Sequence, residues 1–352
     1  MSPLSRRLIG IWLIAGCCMV FAQVIIGGVT RLTGSGLSIT RWEIVLGAIP
    51  PLGDTQWIDA FVSYQHTPQY QLINQGMTLS EFKFIYFWEY FHRLNARLLL
   101  VVFVGGLLYF AYRKWLSRDL LLRLGFVFLW GVLIATLGWL MVASGLIDKP
   151  YVSPLRLSLH LVTALIIFAN LVWLCLYVLR PQQSVAIYAP RARVAALAML
   201  FLLLLQLLLG GVLSGMKAGM AYPTWPTMNG EWIPSALHSL PAHWAGILYY
   251  DPTAYWEQSV IQFLHRCTAY LLVVVVSVFF LRFRDRGTDR VFTIGFWLLP
   301  FLILLQATIG IMTVLHCVGR VPVLWGVLHQ AGAMLLLADM VFIYYHLSSE
   351  RQ

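Results

Sequence analysis

Apolar residues along most of this chain neither alternate nor recur every third or fourth position; they run on for twenty or more. Such runs predict eight helices, at about 8–30, 84–112, 121–145, 154–179, 192–216, 257–283, 291–316 and 322–347. Each reaches the ~20 residues that cross a bilayer. The intervals are unequal. Three links, 113–120, 180–191 and 284–290, are short and basic, whereas 31–83 and 217–256 are long and rich in Gly, Pro and Trp. Loops of that length without strong periodicity are usually functional or disordered. Their aromatic residues, among them Trp42, Trp57, Tyr64, Tyr70, Trp225, Trp232 and Trp244, favour ordered lids at the membrane surface.

Within the runs, polar residues are few and patterned. FWEYFHRLNARLLLVV at 87–102 carries Glu89, His92 and Arg93, and LHRCTAYLLVVVV at 264–276 repeats the His-Arg pair as His265 and Arg266. Glu89 has Gln262 as its counterpart. The echo extends over the whole chain. At an offset of 183, Gln23, Gly27, Gly28, Gly36, Trp42 and Pro51 recur as Gln206, Gly210, Gly211, Gly219, Trp225 and Pro234. Thr136, Gly138 and Val142 recur as Thr308, Gly310 and Val314, and His160 recurs as His329. Four helices per copy give both copies one orientation, a parallel repeat about an axis along the membrane normal. The expected fold is therefore all-α and polytopic, two four-helix bundles spanning residues 1–184 and 185–352.

Composition sharpens this picture. Of the 352 residues 60% are hydrophobic and 11% charged, against roughly a quarter charged in a soluble domain. The net charge of +10 would fit nucleic acid, but its placement speaks against that partner. Arg6, Arg7, Arg113, Arg180, Arg191, Arg284, Arg286 and Arg290 fall at the N-terminus and in the short links, which the positive-inside rule puts in the cytoplasm together with both termini. The first apolar run follows a basic start but reaches about Val29 with no A-x-A site, so it reads as an uncleaved helix, and no Arg- and Ser-rich transit peptide precedes it. A bacterial inner membrane is the expected location. Cys17, Cys18, Cys175 and Cys267 lie inside helices and Cys317 near a helix end, so no disulfide framework is implied.

The candidate chemistry lies in histidines. Of nine, His66, His238 and His243 fall in long loops, and His316 and His346 near helix ends. The other four, His92, His160, His265 and His329, sit six to eight residues into the even-numbered helices, about 9–12 Å deep. One membrane histidine is commonly a hydrogen-bonded packing residue. Four at matched depth in a repeat point to a metal cofactor held between facing helices. Zinc calls for further ligands to complete four-coordination, whereas two axial imidazoles in an apolar pocket suit haem iron. Arg93 and Arg266 are candidates for haem propionates, since guanidinium binds carboxylate through paired hydrogen bonds. Glu89 breaks the symmetry: a buried carboxylate beside a porphyrin accepts protons or stabilises positive charge, which Gln262 cannot do.

These residues resemble the haem A synthase family. The likeness covers nearly the whole chain and rests on GGVTRLTGSGLSITRW (27–42), MTLSEFKFIYFWEYFHRLNARL (77–98), GMKAGMAYPTWPTMNGEWIP (215–234) and the four helix histidines. It resembles the branch shared by proteobacteria and mitochondria. The resemblance implies an oxidoreductase that converts haem O to haem A, oxidising the C8 methyl to a formyl group by two hydroxylations and loss of water. It implies haem b on His265 and His329, substrate haem on His92 and His160, and Glu89 as the functional carboxylate. Haem O synthase, cytochrome oxidase assembly proteins and an unidentified electron-transfer protein are the implied partners, with membrane lipid around the chain and homo-oligomers left open. Some relatives carry a cysteine pair in the first long loop; this chain has none there. Two other readings stand beside it, a di-haem b electron-transfer cytochrome and a histidine-relay transporter.

Overall fold

The computed structural model describes residues 1–41, 46–145, 150–181, 187–238, 246–248, 251, 253–284 and 290–348. Trp42, His243, Trp244 and Arg286 lie outside the described residues. Among the described residues eight helices are long and apolar enough to cross a membrane: α1 (Pro3–Leu32), α4 (Leu79–Tyr112), α5 (Arg118–Gly145), α6 (Pro154–Leu179), α7 (Pro190–Gly215), α8 (Tyr255–Phe283), α9 (Arg290–Leu315) and α10 (Val323–His346). The chain is an all-α, polytopic membrane protein, and each run predicted from the sequence forms one of these helices.

Like α1, α4 starts five residues before its predicted beginning. A capping box fixes that start: Thr78 N donates to Glu81 Oε2 at 2.8 Å and Glu81 N to Thr78 Oγ1 at 3.3 Å. The extra turns give the preceding loop a surface to pack on. Two short helices, α2 (Asp54–Gln65) and α3 (Pro68–Leu72), occupy it. Trp57, Phe61 and Tyr64 lie against Phe82 and Tyr86, with ring centroids 5.0–6.5 Å apart, and Tyr64 is fully buried. Aromatic packing of this kind gives the loop a core of its own.

In the membrane, α1, α6, α7 and α10 pack each against the next in a central ring. Its interior is closed by apolar side chains, among them Leu13, Leu165, Leu171, Met199, Leu203 and Leu337. Small residues bring the helices together: a Cβ on Gly211 would lie 2.5 Å from Ser158 Oγ, and Ser158 donates to the Leu208 carbonyl at 2.7 Å. The other four helices flank the ring, α4 on α1, α5 on α6, α8 on α7 and α9 on α10. The flanks differ. α8 and α9 pack on each other, whereas α4 and α5 scarcely touch among the described residues. At the short-link face, β1 (Ile187–Tyr188) pairs in parallel with β2 (Leu347–Ser348) and ties the middle link to the end of α10.

Candidate functional site

All four helix histidines meet a glycine. A Cβ added at Gly27 would lie 2.9 Å from His92 Nε2, at Gly138 3.1 Å from His160 Cε1, at Gly210 3.0 Å from His265 Cε1, and at Gly310 2.8 Å from His329 Cε1. Any larger residue would displace the ring. Of the glycines that recur in the sequence repeat, Gly27, Gly138, Gly210 and Gly310 are thus floors for the imidazoles.

In the second copy the two imidazoles face each other, with ring centroids 6.4 Å apart and planes at 78°. Glutamine amides hold one nitrogen of each. Gln206 Nε2 is 3.2 Å from His265 Nε2, and Gln306 Nε2 is 3.1 Å from His329 Nδ1 while also donating to the His329 carbonyl at 2.8 Å. His265 Nδ1 is buried with no hydrogen-bond partner among the described residues. Hydrogen bonds of this sort fix ring orientation in metal sites.

The first copy is open. His92 and His160 line a cavity of about 1620 Å³ whose wall also holds Gln23, Gly27, Glu89, Arg93 and Gly138, and does not include His265 or His329. Pockets for drug-sized ligands are roughly 300–1,000 Å³, so this one admits something larger. Leu100 and Val102 of α4 and Phe128 and Val132 of α5 are both on this wall and exposed on the surface of the chain. α4 and α5, which scarcely touch among the described residues, form this side of the wall.

Glu89 is 2% exposed. Its Oε2 accepts from Ser38 N at 2.7 Å, Ser38 Oγ at 2.8 Å and Ile39 N at 2.8 Å, and its Oε1 pairs with Arg93 Nη2 at 2.5 Å. Arg93 also donates to the carbonyls of Ile39 and Arg41, each at 3.0 Å. In the second copy Gln262 donates to the Tyr222 carbonyl at 2.9 Å, and Arg266 to those of Tyr222, Thr224 and Thr227 at 3.0, 2.8 and 3.3 Å. Both arginines, expected at propionates, hold down the first stretch of a long loop.

Cys17 Sγ of α1 and Cys175 Sγ of α6, which lie in separate apolar runs of the sequence, are 3.7 Å apart. Asp339 is a buried carboxyl in α10 whose Oδ2 has no hydrogen-bond partner among the described residues. Its only sequence signal is an acid inside an apolar run. Among the described residues no three His, Cys, Asp or Glu side chains cluster to hold a metal ion. The four helix histidines come in pairs, two ligands where a structural zinc site takes four.

Fold and site define a polytopic helical membrane protein with paired, half-buried histidines between its helices. Residues 10–341 match the COX15-CtaA family, described as cytochrome oxidase assembly protein, and the chain belongs to that family. Similar proteins include the heme A synthase of Nitrosospira multiformis, 38% identical over 97% of this chain and 94% of that one. That of Parvibaculum lavamentivorans is 40% identical over 98% and 95%. That of Flavobacterium johnsoniae is 37% identical over 96% and 97%.

Proposed function

We propose that the protein is a haem A synthase of the bacterial inner membrane, with both termini and the short links in the cytoplasm. It oxidises the C8 methyl of haem O to a formyl group through the alcohol and the geminal diol, supplying haem A to cytochrome oxidase assembly. The observation that carries this is the inequality of the two histidine pairs. His265 and His329 are closed on each other, while His92 and His160 line a cavity wide enough for a macrocycle and walled on one side by α4 and α5.

The second pair fits a resident haem b. The rings face each other with centres 6.4 Å apart and His265 Nδ1 is buried without a partner among the described residues, so His265 and His329 are the residues that would hold it. Bound there, haem b supplies one-electron redox chemistry. Gln206 and Gln306 hold the ligand rings, and Gly210 and Gly310 give them room. The first half, residues 1–184, takes the substrate, with His92 and His160 on its iron and the farnesyl tail leaving between α4 and α5.

Glu89 lies in the cavity wall and its carboxylate is fixed by three donors from Ser38 and Ile39 and by Arg93. Held so, it provides a fixed negative charge and a proton acceptor beside the reacting edge. Arg93 and Arg266 anchor the loops that roof the two sites. The test is expression with a haem O supply and mass analysis of extracted porphyrins. Haem A together with haem b is expected; two equivalents of haem b and no formyl product would overturn the reading.

A further inference from the structure

Two cations in the wall of the cavity break the repeat. Arg31, in the last turn of α1, has Ser214 as its counterpart 183 residues on, and Lys217, just beyond α7, has Gly34 183 residues before it. The structure brings these positions together, since Arg31 donates to the Ser214 carbonyl. Arg31 and Lys217 both line the cavity, one from each copy of the repeat. Burial and then the charge of Arg31 lower the pKa of Lys217, whose Nζ lies 4.9 Å from the centre of the Tyr151 ring, also in the wall.

The backbone at Lys217 adds a second observation. Its φ is +51°, and its counterpart Gly34 has φ +70°. The repeat thus keeps one left-handed turn after both helices but fills it once with the residue suited to it and once with lysine. A bulky residue rarely adopts that conformation, and such strain persists where the side chain is needed.

Placement supplies the ligand. Arg31 follows Gly27, the floor of His92, by one helical turn, about 6 Å towards the long-loop face. A porphyrin carries its two propionates on one edge, a comparable distance from the metal, and the C8 methyl shares a pyrrole ring with one of them. Holding that edge therefore fixes the end of the cavity at which the C8 methyl and its counterpart on the other propionate ring lie. Arg93 and Arg266 make equivalent loop contacts in both copies, so they cannot distinguish a substrate half from a cofactor half.

We propose that Arg31 and Lys217 bind the propionate carboxylates of the substrate porphyrin and so bring its propionate edge, with the C8 methyl beside it, to the catalytic wall. The proposal rests on the first half being the substrate site, and the test separates the two. Haemin and its dimethyl ester are titrated into the purified full chain, reading the optical change that His92→Ala removes. Wild type should prefer the diacid at least ten-fold. Arg31→Gln and Lys217→Gly should each lower haemin affinity roughly ten-fold, leaving ester affinity and the His265–His329 spectrum as they were. Lys217→Gly copies Gly34 and relieves the strained backbone, so it keeps the fold. An unchanged diacid preference in both variants overturns the proposal, as it would if the pair held a lipid phosphate instead. A wild type with no His92-dependent signal overturns the substrate-site reading itself.

Discussion

Arg93 and Arg266 grip equivalent carbonyls. Arg93 donates to Ile39 and Arg41, and Arg266 to Tyr222 and Thr224, each 183 residues further on. The internal repeat therefore includes the way each long loop is fastened to its helix. Replacing either guanidinium with Lys exchanges a planar fork for a point charge. Arg266→Lys should cost about 1.5–3 kcal/mol locally, the worth of hydrogen bonds to a charged group. Limited proteolysis should then cut the 217–254 loop faster in the variant, with the loop at 31–78 unaffected. Equal cleavage in both proteins would contradict this role.

Glu89 belongs to the same clamp but adds a charge. Glu89→Gln makes the first copy imitate the second, where Gln262 already holds the Tyr222 carbonyl. The variant should retain haem b and bind haem O, while its formyl product falls by roughly 10²-fold, the scale of a lost general base. Porphyrin extraction at matched protein levels reads this. Near-normal haem A would leave Glu89 as a loop anchor only.

His265→Ala and His329→Ala should each abolish a low-spin bis-imidazole spectrum. Alanine at His66 or His238, both exposed, should leave it intact. A normal spectrum in His265→Ala would rule out this pair as the haem b ligands.

The glycine floors give a finer probe. A Cβ at Gly310 would stand 2.8 Å from His329 Cε1, whereas one at Gly105 meets nothing within 4 Å. Gly310→Ala should shift the haem b spectrum and midpoint potential by displacing the ring, and Gly105→Ala should not. Identical spectra in the two variants would mean that the ring has slack the structure does not show.

The proposed route between α4 and α5 can be blocked. Val132 is 51% exposed on the cavity wall of α5. Val132→Trp should slow conversion of haem O several-fold and leave haem b unchanged. Binding of haemin, which lacks the farnesyl tail, should fall less than binding of haem O. Equal losses would place the entry route elsewhere.

Much of this was legible before any coordinates. Long apolar runs announce the spanning helices because a bilayer demands length and apolarity of each one separately. His92, His160, His265 and His329 stood out because polar groups are rare at that depth. What the sequence hides is adjacency. Nothing in the runs around Cys17 and Cys175 says that α1 and α6 are neighbours, since lipid-facing and helix-facing positions are equally apolar. Trp57, Phe61 and Tyr64 read as a loop because α2 packs on Phe82 and Tyr86 at the start of α4, and Phe82 lies ahead of the predicted start of that helix. The partners of Arg93 were equally out of reach, because backbone carbonyls leave no mark in a sequence.

The unequal flanks bear on residence time. A porphyrin between His265 and His329 sits behind two helices that hold each other, so its escape requires prising apart a packed surface. One in the first copy faces α4 and α5, which have little mutual contact to break. On this reading, dissociation is slow from one site and fast from the other for the same kind of ligand bond. A catalyst whose product must be handed to another protein needs that difference, and here it arises from whether two neighbouring helices touch.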